Sequence, residues 1–367
     1  MPLALLGLGT AVPDFAFTQE QATGVAQVLC LDPEQAPLVP ALYRQTEIAQ
    51  RHLILGGDVV RDVLNGSRQS GSVFLPSGEP DDRGPTTRER MQVYIAEAGP
   101  LAIRAARQAL QESGLSPGDI TQLITVSCTG FRAPGVDFEL IQALDLPRTV
   151  QRTHVGFMGC HGALNGLRVA NALAGSDPAA RILLCAVELC SLHYHYGWDP
   201  KRVVANALFG DGAAALVGIP AESASPTAWQ VAGTGACLFP DSAYAMTWDI
   251  GDRGFTMTLS TRVPNLIEAN LRPWLESWLH QCDLPLAEVA SWAIHPGGPR
   301  VLLSVARALG LANEATAASR EVLRQHGNMS SPTVLFILDL LRRRQAPRPC
   351  VAMGFGPGLA VEAALFR

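Results

Sequence analysis

Three residues of this 367-residue chain could do covalent chemistry together: Cys160, His295 and Asn328. Cys160 lies in Thr153–Leu173, which begins as a β-rich run and passes through Gly156, Gly159 and Gly162. From Leu164 the stretch takes on helical spacing, with Leu164, Leu167, Ala170 and Leu173 on or near one face. The cysteine is therefore expected on a strand-to-helix turn, at or just before the first helical turn. Free N–H groups and the positive end of the helix dipole stabilise an anion there. A lowered thiol pKa is the expectation, because the thiolate is the nucleophile. Glycines around it let backbone and ligand approach closely. His295 ends the apolar run Ala290–His295, just before Pro296, Gly297 and Gly298, and can supply an imidazolium partner. Asn328 precedes a helical run beginning at Thr333; its amide, with His295, can form an oxyanion hole for an enolate or a tetrahedral intermediate. Each has a plainer reading when taken alone: a buried cysteine, a satisfied core histidine, a helix N-cap. His161, beside the cysteine, is a rival to His295, although adjacent side chains on a helix point different ways.

A repeated plan would bring the three together. Phe209-Gly-Asp-Gly-Ala-Ala-Ala-Leu-Val matches Phe355-Gly-Pro-Gly-Leu-Ala-Val-Glu-Ala in position and type. The strand ending at Cys128, Thr129 and Gly130 corresponds to the strand ending at His295, and the turn at Cys160 to the turn at Asn328. Strand end and helix start lie about 30 residues apart in both halves. Two α/β halves, 1–220 and 221–367, joined through Ala221–Trp229, should pack about a pseudo-two-fold axis on which Cys160, His295 and Asn328 converge. Helices are expected over Gln19–Leu29, Arg88–Gly114, Asp137–Leu144, Arg262–Gln281, Arg300–Leu309, Glu314–Gln325 and Thr333–Arg343. Strands are expected over Leu3–Val12, Leu123–Cys128 and Arg181–Val187. Tyr43–His52 reads as a polar helix end that presents Arg44 and Arg51 to solvent or to an anionic ligand. Asn65–Pro85, rich in Gly, Ser, Pro and Asp, reads as a surface loop.

Composition narrows the function. Hydrophobic residues make up 48% and charged residues 17%, which suits heavily buried sheets and a large subunit interface. A net charge of −5 argues against nucleic acid as the main partner. No apolar run approaches the ~18 residues of a membrane span. Met1–Gly9 lacks a basic n-region and a cleavage site, so it reads as a first strand. The eight cysteines are scattered, with no CxxC and no Cys/His quartet, so a cytoplasmic, reduced and metal-free protein is expected. His193 and His195 alternate with Tyr194 and Tyr196 but lack a carboxylate or thiolate partner at ligand spacing.

Five motifs carry a family resemblance: Gly159-Cys160, Ile294-His295-Pro-Gly-Gly-Pro299, Gly327-Asn328-Met-Ser-Ser331, Ala207-Leu-Phe-Gly-Asp-Gly-Ala213 and Gly354-Phe-Gly-Pro-Gly358. Together, over essentially the whole chain, they resemble the chalcone/stilbene synthase family, the type III polyketide synthases. The resemblance implies an α/β, thiolase-like, duplicated αβαβα five-layer fold and a homodimer. It also implies iterative condensation of malonyl-CoA onto a starter acyl-CoA, without acyl carrier protein or cofactor. By the same resemblance Cys160 loads the acyl group, while His295 and Asn328 promote malonyl decarboxylation and hold the thioester oxygen. Phe209 matches a gatekeeping phenylalanine between CoA tunnel and cavity, and Met257 falls on the second gatekeeping aromatic. Gly356 and Pro357 lie in a loop that would line the cyclisation chamber. Cys190 and His193 fall on cavity-lining threonine positions, and Cys128 is placed on the same cavity. Ala133 stands where plant members have a methionine that reaches into the partner's cavity. Arg44 and Arg51 are the candidates for holding CoA. The smaller Ala133 suggests more room and the larger His193 less. With Met257, Ala133 is expected to admit a bulky or long starter. These departures resemble bacterial members more than plant chalcone synthases, and the expected product is a pyrone, a resorcinol or a related aromatic. Two alternatives share the nucleophile. One is a KAS III-like ketoacyl synthase of fatty acid synthesis, which usually has His-Gln-Ala-Asn where this chain has His295-Pro-Gly-Gly298. The other is a cysteine thioesterase or hydrolase.

Overall fold

The computed structural model describes residues 2–367. Its first half runs β1 (Leu3–Ala11), β2 (Ala16–Thr18), α1 (Gln19–Leu29), α2 (Val39–Arg44), β3 (Gln50–His52), α3 (Gly57–Asn65) and α4 (Thr87–Ser113). It continues through β4 (Gln122–Ser127), α5 (Val136–Leu144), β5 (Gln151–Gly156), α6 (Gly162–Ser176), β6 (Ile182–Leu189), α7 (Pro200–Leu208) and β7 (Asp211–Pro220). The second half holds β8 (Trp229–Leu238), β9 (Met246–Gly251), β10 (Gly254–Leu259), α8 (Val263–Gln281), β11 (Ser291–Ile294) and α9 (Pro299–Leu309). It closes with α10 (Ala317–His326), α11 (Pro332–Arg343), β12 (Cys350–Gly356) and β13 (Ala360–Phe366).

Nine strands form one sheet in the order β11-β12-β13-β8-β1-β7-β6-β4-β5, joined at its middle where Ala4 faces Gln230 and Leu5 faces Trp229. Alternation along the strands sorts their side chains onto two faces. In β6, Ile182, Leu184 and Ala186 pack inward against α6 and α11, while Leu183, Cys185 and Val187 pack outward against α4 and α5. In β12, Cys350 and Ala352 share that inner cluster, whereas Val351 and Met353 face α8 and α9. The layers are therefore α4/α5, the first half-sheet, α6/α11, the second half-sheet, and α8/α9. This is the thiolase-like five-layer arrangement. Burial on both faces explains why β4, β6, β7 and β12 are buried along their whole length.

The repeat is visible in the pairing. β4 runs parallel to β6, which is antiparallel to β7; β11 runs parallel to β12, which is antiparallel to β13. The halves are not equal, because β5 at the sheet edge has no counterpart beyond β11. Helix α4 forms where expected, with the Thr86–Glu89 capping box at its start and Gly114 at φ 71° after its end.

One expectation is corrected. Tyr43–His52 is not a continuous helix end: α2 stops at Arg44, Glu47 takes φ 59°, and Gln50–His52 forms β3, paired antiparallel with β2. Three residues of strand are too short a run for alternation to register in a sequence.

Candidate active site

Cys160 sits in a single 3₁₀ turn, Gly159–His161, immediately before α6, and its side chain is buried. The turn is pressed against the segment that follows β12. A Cβ on Gly159 would lie 2.4 Å from Cδ of Pro357, and Gly159 has φ 77°, so this position demands glycine on both counts. His295 follows the last residue of β11, and its N–H donates to the carbonyl of Met353 at 2.8 Å. A Cβ on Gly354 would lie 3.4 Å from Cβ of His161 and 3.5 Å from Cβ of His295. The Cys160 turn and the β11 end therefore meet across β12. Asn328 is clamped from the other side by α7 and the turn after it. Its N–H donates to Leu208 O at 2.8 Å, and Gly210 N–H donates to its carbonyl at 2.9 Å.

The orientation of the Asn328 amide follows from one contact. Oδ1 accepts from the Ser330 N–H at 2.8 Å, so the Nδ2 end is left as donor. Ser330 and Asn328 both act on the Cys160 thiol, and each lowers its pKa. Asn328 is not the N-cap of α11, whose N-cap position is Ser331. Both ring nitrogens of His295 are buried without a hydrogen-bond partner, so either is free to engage a substrate. His161 is engaged by other partners, with Nδ1 2.7 Å from Asn165 Oδ1 and Asn165 Nδ2 donating to Glu362 at 2.7 Å, yet it stays close enough to His295 to lower that ring's pKa.

Electrostatics differ from the sequence expectation at the thiol. Burial is the largest influence on Cys160 and pushes it up to about 11, with the Glu188 carboxylate adding to the rise. Burial also holds His295 down to about 3, so the resting pair is neutral thiol and neutral imidazole. The helix N-terminus does not overcome the loss of solvent.

Glu188 was not anticipated, although a lone acid at the end of an apolar strand run was the available signal. It is wholly buried and gathers donors from both halves of the chain. The Cys128 N–H (2.9 Å), Thr129 Oγ1 (2.7 Å) and Ser331 Oγ (2.7 Å) all donate to it. Burial nevertheless raises its pKa.

A cavity of about 280 Å³ opens in front of Cys160. Phe209, Met257, Cys128, Cys190, His193 and Pro357 all border it, and Gly356 packs behind it on the His161 ring. From this chamber an apolar arm runs between α1 and α3, past Val25, Leu29, Val60 and Val63. Sequence reasoning missed α3 and hence the arm. Of three other assignments, two lie off the cavity and one borders it in a different role. Ala133 is exposed on the loop before α5 and is not on the chain's own cavity. Arg44 is exposed and also off the cavity. Arg51 borders the cavity, but its guanidinium is buried and donates to the carbonyl of Ala207 (2.8 Å) and to Gln19 Oε1 (2.6 Å). It is a strut between β3 and α7 rather than an exposed anion contact. The arginines with exposed or half-exposed side chains on the cavity rim are Arg83, Arg202 and Arg253.

A five-layer duplicated fold with cysteine, histidine and asparagine meeting between its halves defines a thiolase-fold condensing enzyme. Residues 2–222 match chalcone and stilbene synthases, N-terminal domain, and residues 230–367 match the C-terminal domain. The chain belongs to the chalcone and stilbene synthase family, the type III polyketide synthases, and is an acyl-transferring enzyme. It is 32% identical to the "alpha-pyrone synthesis polyketide synthase-like Pks18" of Mycobacterium tuberculosis, over 98% of this chain and 90% of that one. It is also 32% identical to the 1,3,6,8-tetrahydroxynaphthalene synthase of Streptomyces peucetius, over 98% of this chain and 91% of that one. The crystal structure of PKS-I from the brown alga Ectocarpus siliculosus superimposes with a TM-score of 0.90 at 31% identity, covering 100% of this chain and 98% of that one. The ketoacyl synthase and hydrolase alternatives are not favoured by these matches.

Proposed function

We propose that Cys160 takes an acyl group from a starter acyl-CoA. Repeated decarboxylative condensation with malonyl-CoA then extends it, and the chain leaves as a pyrone, a resorcinol or a related aromatic. The observation that carries this reading is the Cys160 thiol at the cavity wall, with the Asn328 amide acting on it and the unpartnered imidazole of His295 buried close by, where the end of β11 meets the Cys160 turn across β12. With a neutral thiol at rest, the neutral His295 is the group able to accept its proton as the thioester is attacked. Malonyl-CoA then places its thioester oxygen between Asn328 Nδ2 and His295. Loss of carbon dioxide leaves an enolate that these two donors stabilise. The enolate carbon attacks the acyl carbonyl on Cys160, the C–S bond breaks, and the lengthened chain leaves as its CoA thioester. Reloading onto Cys160 begins the next round.

The apolar arm between α1 and α3 supports a long or bulky apolar starter. Among the expected products, the pyrone is favoured by the arm and by the alpha-pyrone synthesis for which the Mycobacterium tuberculosis relative is named. Room for the starter is supplied by the arm and by Met257 on the chain's own cavity, and by the small Ala133 on the loop that the resemblance places at the partner's cavity. The proton-transfer and charge-stabilising groups are side chains, so we propose no cofactor, no metal and no acyl carrier protein. A homodimer through β5 and a cytoplasmic location complete the reading; no described helix is long and apolar enough to cross a membrane. The test is incubation with malonyl-CoA and acetyl-, aryl- and long-chain acyl-CoA, with mass spectrometry of products. Polyketides from long or bulky starters are expected, and none from Cys160→Ala. Polyketide formation by that variant would overturn the nucleophile, and a preference for acetyl-CoA would overturn the starter class.

A further inference from the structure

A second pocket, of about 350 Å³, lies between the end of β1, α10 and α11 and shares no lining residue with the reaction chamber. Ala11, Val12, Val322 and Leu340 give it an apolar lining, together with the ring of Phe336. Two of its residues carry polar atoms that are buried without a hydrogen-bond partner among the described residues: Oδ1 of Asp339 and Nδ1 of His326. Asp339 is 7% exposed, and its other oxygen accepts from Arg343 Nε at 2.8 Å. The His326 ring is held between His52 and Phe336, with centroids at 5.6 Å and 5.2 Å. Burial holds His326 down to about 4, so the imidazole is neutral. A buried polar atom left unpaired costs stability. A ligand that pairs both atoms would recover that cost.

The acids at this place are already matched by arginines. Arg343 pairs with Asp339, Arg344 with Glu321 and Arg342 with Glu112. A charged ligand would bring an unmatched charge into a partly apolar pocket. A neutral ring with two hydroxyl groups would not. Its face can lie on Phe336 and the aliphatic lining. One hydroxyl can donate to Asp339 Oδ1, and the other can pair with His326 Nδ1. We propose that this pocket is a second ligand site, for a small neutral dihydric phenol held by Asp339 and His326, and that its occupancy is felt at Asn328. His326 is the last residue of α10, and only Gly327, at φ 69°, separates it from Asn328. The turn is tightly packed, since a Cβ on Gly210 would lie 2.5 Å from the His326 carbonyl oxygen. A ligand that draws the His326 ring toward Asp339 therefore disturbs the segment that sets the Asn328 amide. Such coupling between two sites is reciprocal. The link to Asn328 rests on the polyketide synthase reading; the binding site does not.

The test titrates the full chain with 4-fluororesorcinol, read by fluorine NMR linewidth, in wild type, Leu340→Trp and Asp339→Asn. Wild type is expected to bind with a dissociation constant of ~1 mM or lower. Leu340→Trp fills the pocket and Asp339→Asn removes the charge from the acceptor, so each should weaken binding at least ~5-fold. Binding in the reaction chamber is common to all three proteins and cancels in the comparison. A variant that loses its native circular dichroism is replaced by Val12→Phe, which fills the pocket from the β1 side. Equal binding by wild type and the folded variants, or none by wild type at ~10 mM probe, would overturn the site. Malonyl-CoA decarboxylation without a starter is then measured with and without the probe. The probe should lower it ~3-fold more in wild type than in Leu340→Trp. An equal response in both would overturn the link to Asn328. Absence of decarboxylation in wild type would instead sink the polyketide synthase reading and that link, while the titration decides the site by itself.

Discussion

The thiol of Cys160 stands under opposing influences that its neighbours make measurable. Ser330 and Asn328 lower its pKa, whereas burial and Glu188 raise it, and the balance lies at about 11. Alkylation of the free enzyme by iodoacetamide should therefore rise with pH well into the alkaline range. Glu188→Gln keeps the shape of the side chain and removes its charge, so the alkylation midpoint should move down. A midpoint below neutral in wild type, or no shift in the variant, would contradict this electrostatic account. At the other end of the site, Asn328→Ala removes the fixed amide donor and His295→Gln the imidazole. Malonyl-CoA decarboxylation assayed without a starter should fall ~10²- to 10³-fold in each case; unchanged rates would remove both residues from that step. The types and spacing of these three residues were legible in the sequence, because each sits within two residues of a glycine, at a turn between regular runs. The thiol's direction of shift was not, because desolvation depends on what packs around the sulfur. Glu188 was also hidden, its partners Thr129, Cys128 and Ser331 lying 59, 60 and 143 residues away.

Elements decide whether the residues meet. The turn before α6 presents Cys160 only because Gly159 can adopt φ 77° with Pro357 against it. Gly159→Ala would force a Cβ to 2.4 Å from the proline ring. The expected cost is about 1–3 kcal/mol in stability, with a lower rate of acyl loading, measured by urea unfolding and by acylation kinetics. A variant equal to wild type in both would show that the turn tolerates displacement. Long periodic elements such as α4 and α8, and continuous apolar runs such as β4 and β6, could be read from sequence. The three-residue β3, the helix α3 and the hairpin β9–β10 could not be read with the same ease. The helix α3 was missed although Val59, Val60, Val63 and Leu64 repeat at helical spacing, whereas the strands β3, β9 and β10 are short and tertiary pairing decides them. This is why Arg51 was expected as a solvent-facing contact, whereas β3 turns it inward onto the carbonyls around α7.

At the scale of the whole molecule, duplication does two things. It places the Cys160 turn and the Asn328 turn at equivalent points of two half-sheets, with His295 at the end of β11. This convergence was expected from the internal repeat. It also leaves an inequality, because β5 ends the sheet as an edge strand whose first four residues are exposed. Phe131, Phe138 and Met158 are exposed large apolar side chains on the segments that flank it in sequence. An open strand edge with apolar surroundings is a ready pairing surface. The proposed homodimer should sediment at twice the mass of the chain, and a monomer at micromolar concentration would contradict it. The central claim, that a buried neutral thiol between two duplicated halves carries the growing chain, has one direct measurement: peptide mass mapping after brief exposure to a long-chain acyl-CoA without malonyl-CoA. The account predicts a single acyl thioester on the peptide containing Cys160, absent in Cys160→Ala. An acyl group on Cys128 or Cys190 instead, or one that persists in Cys160→Ala, would contradict it.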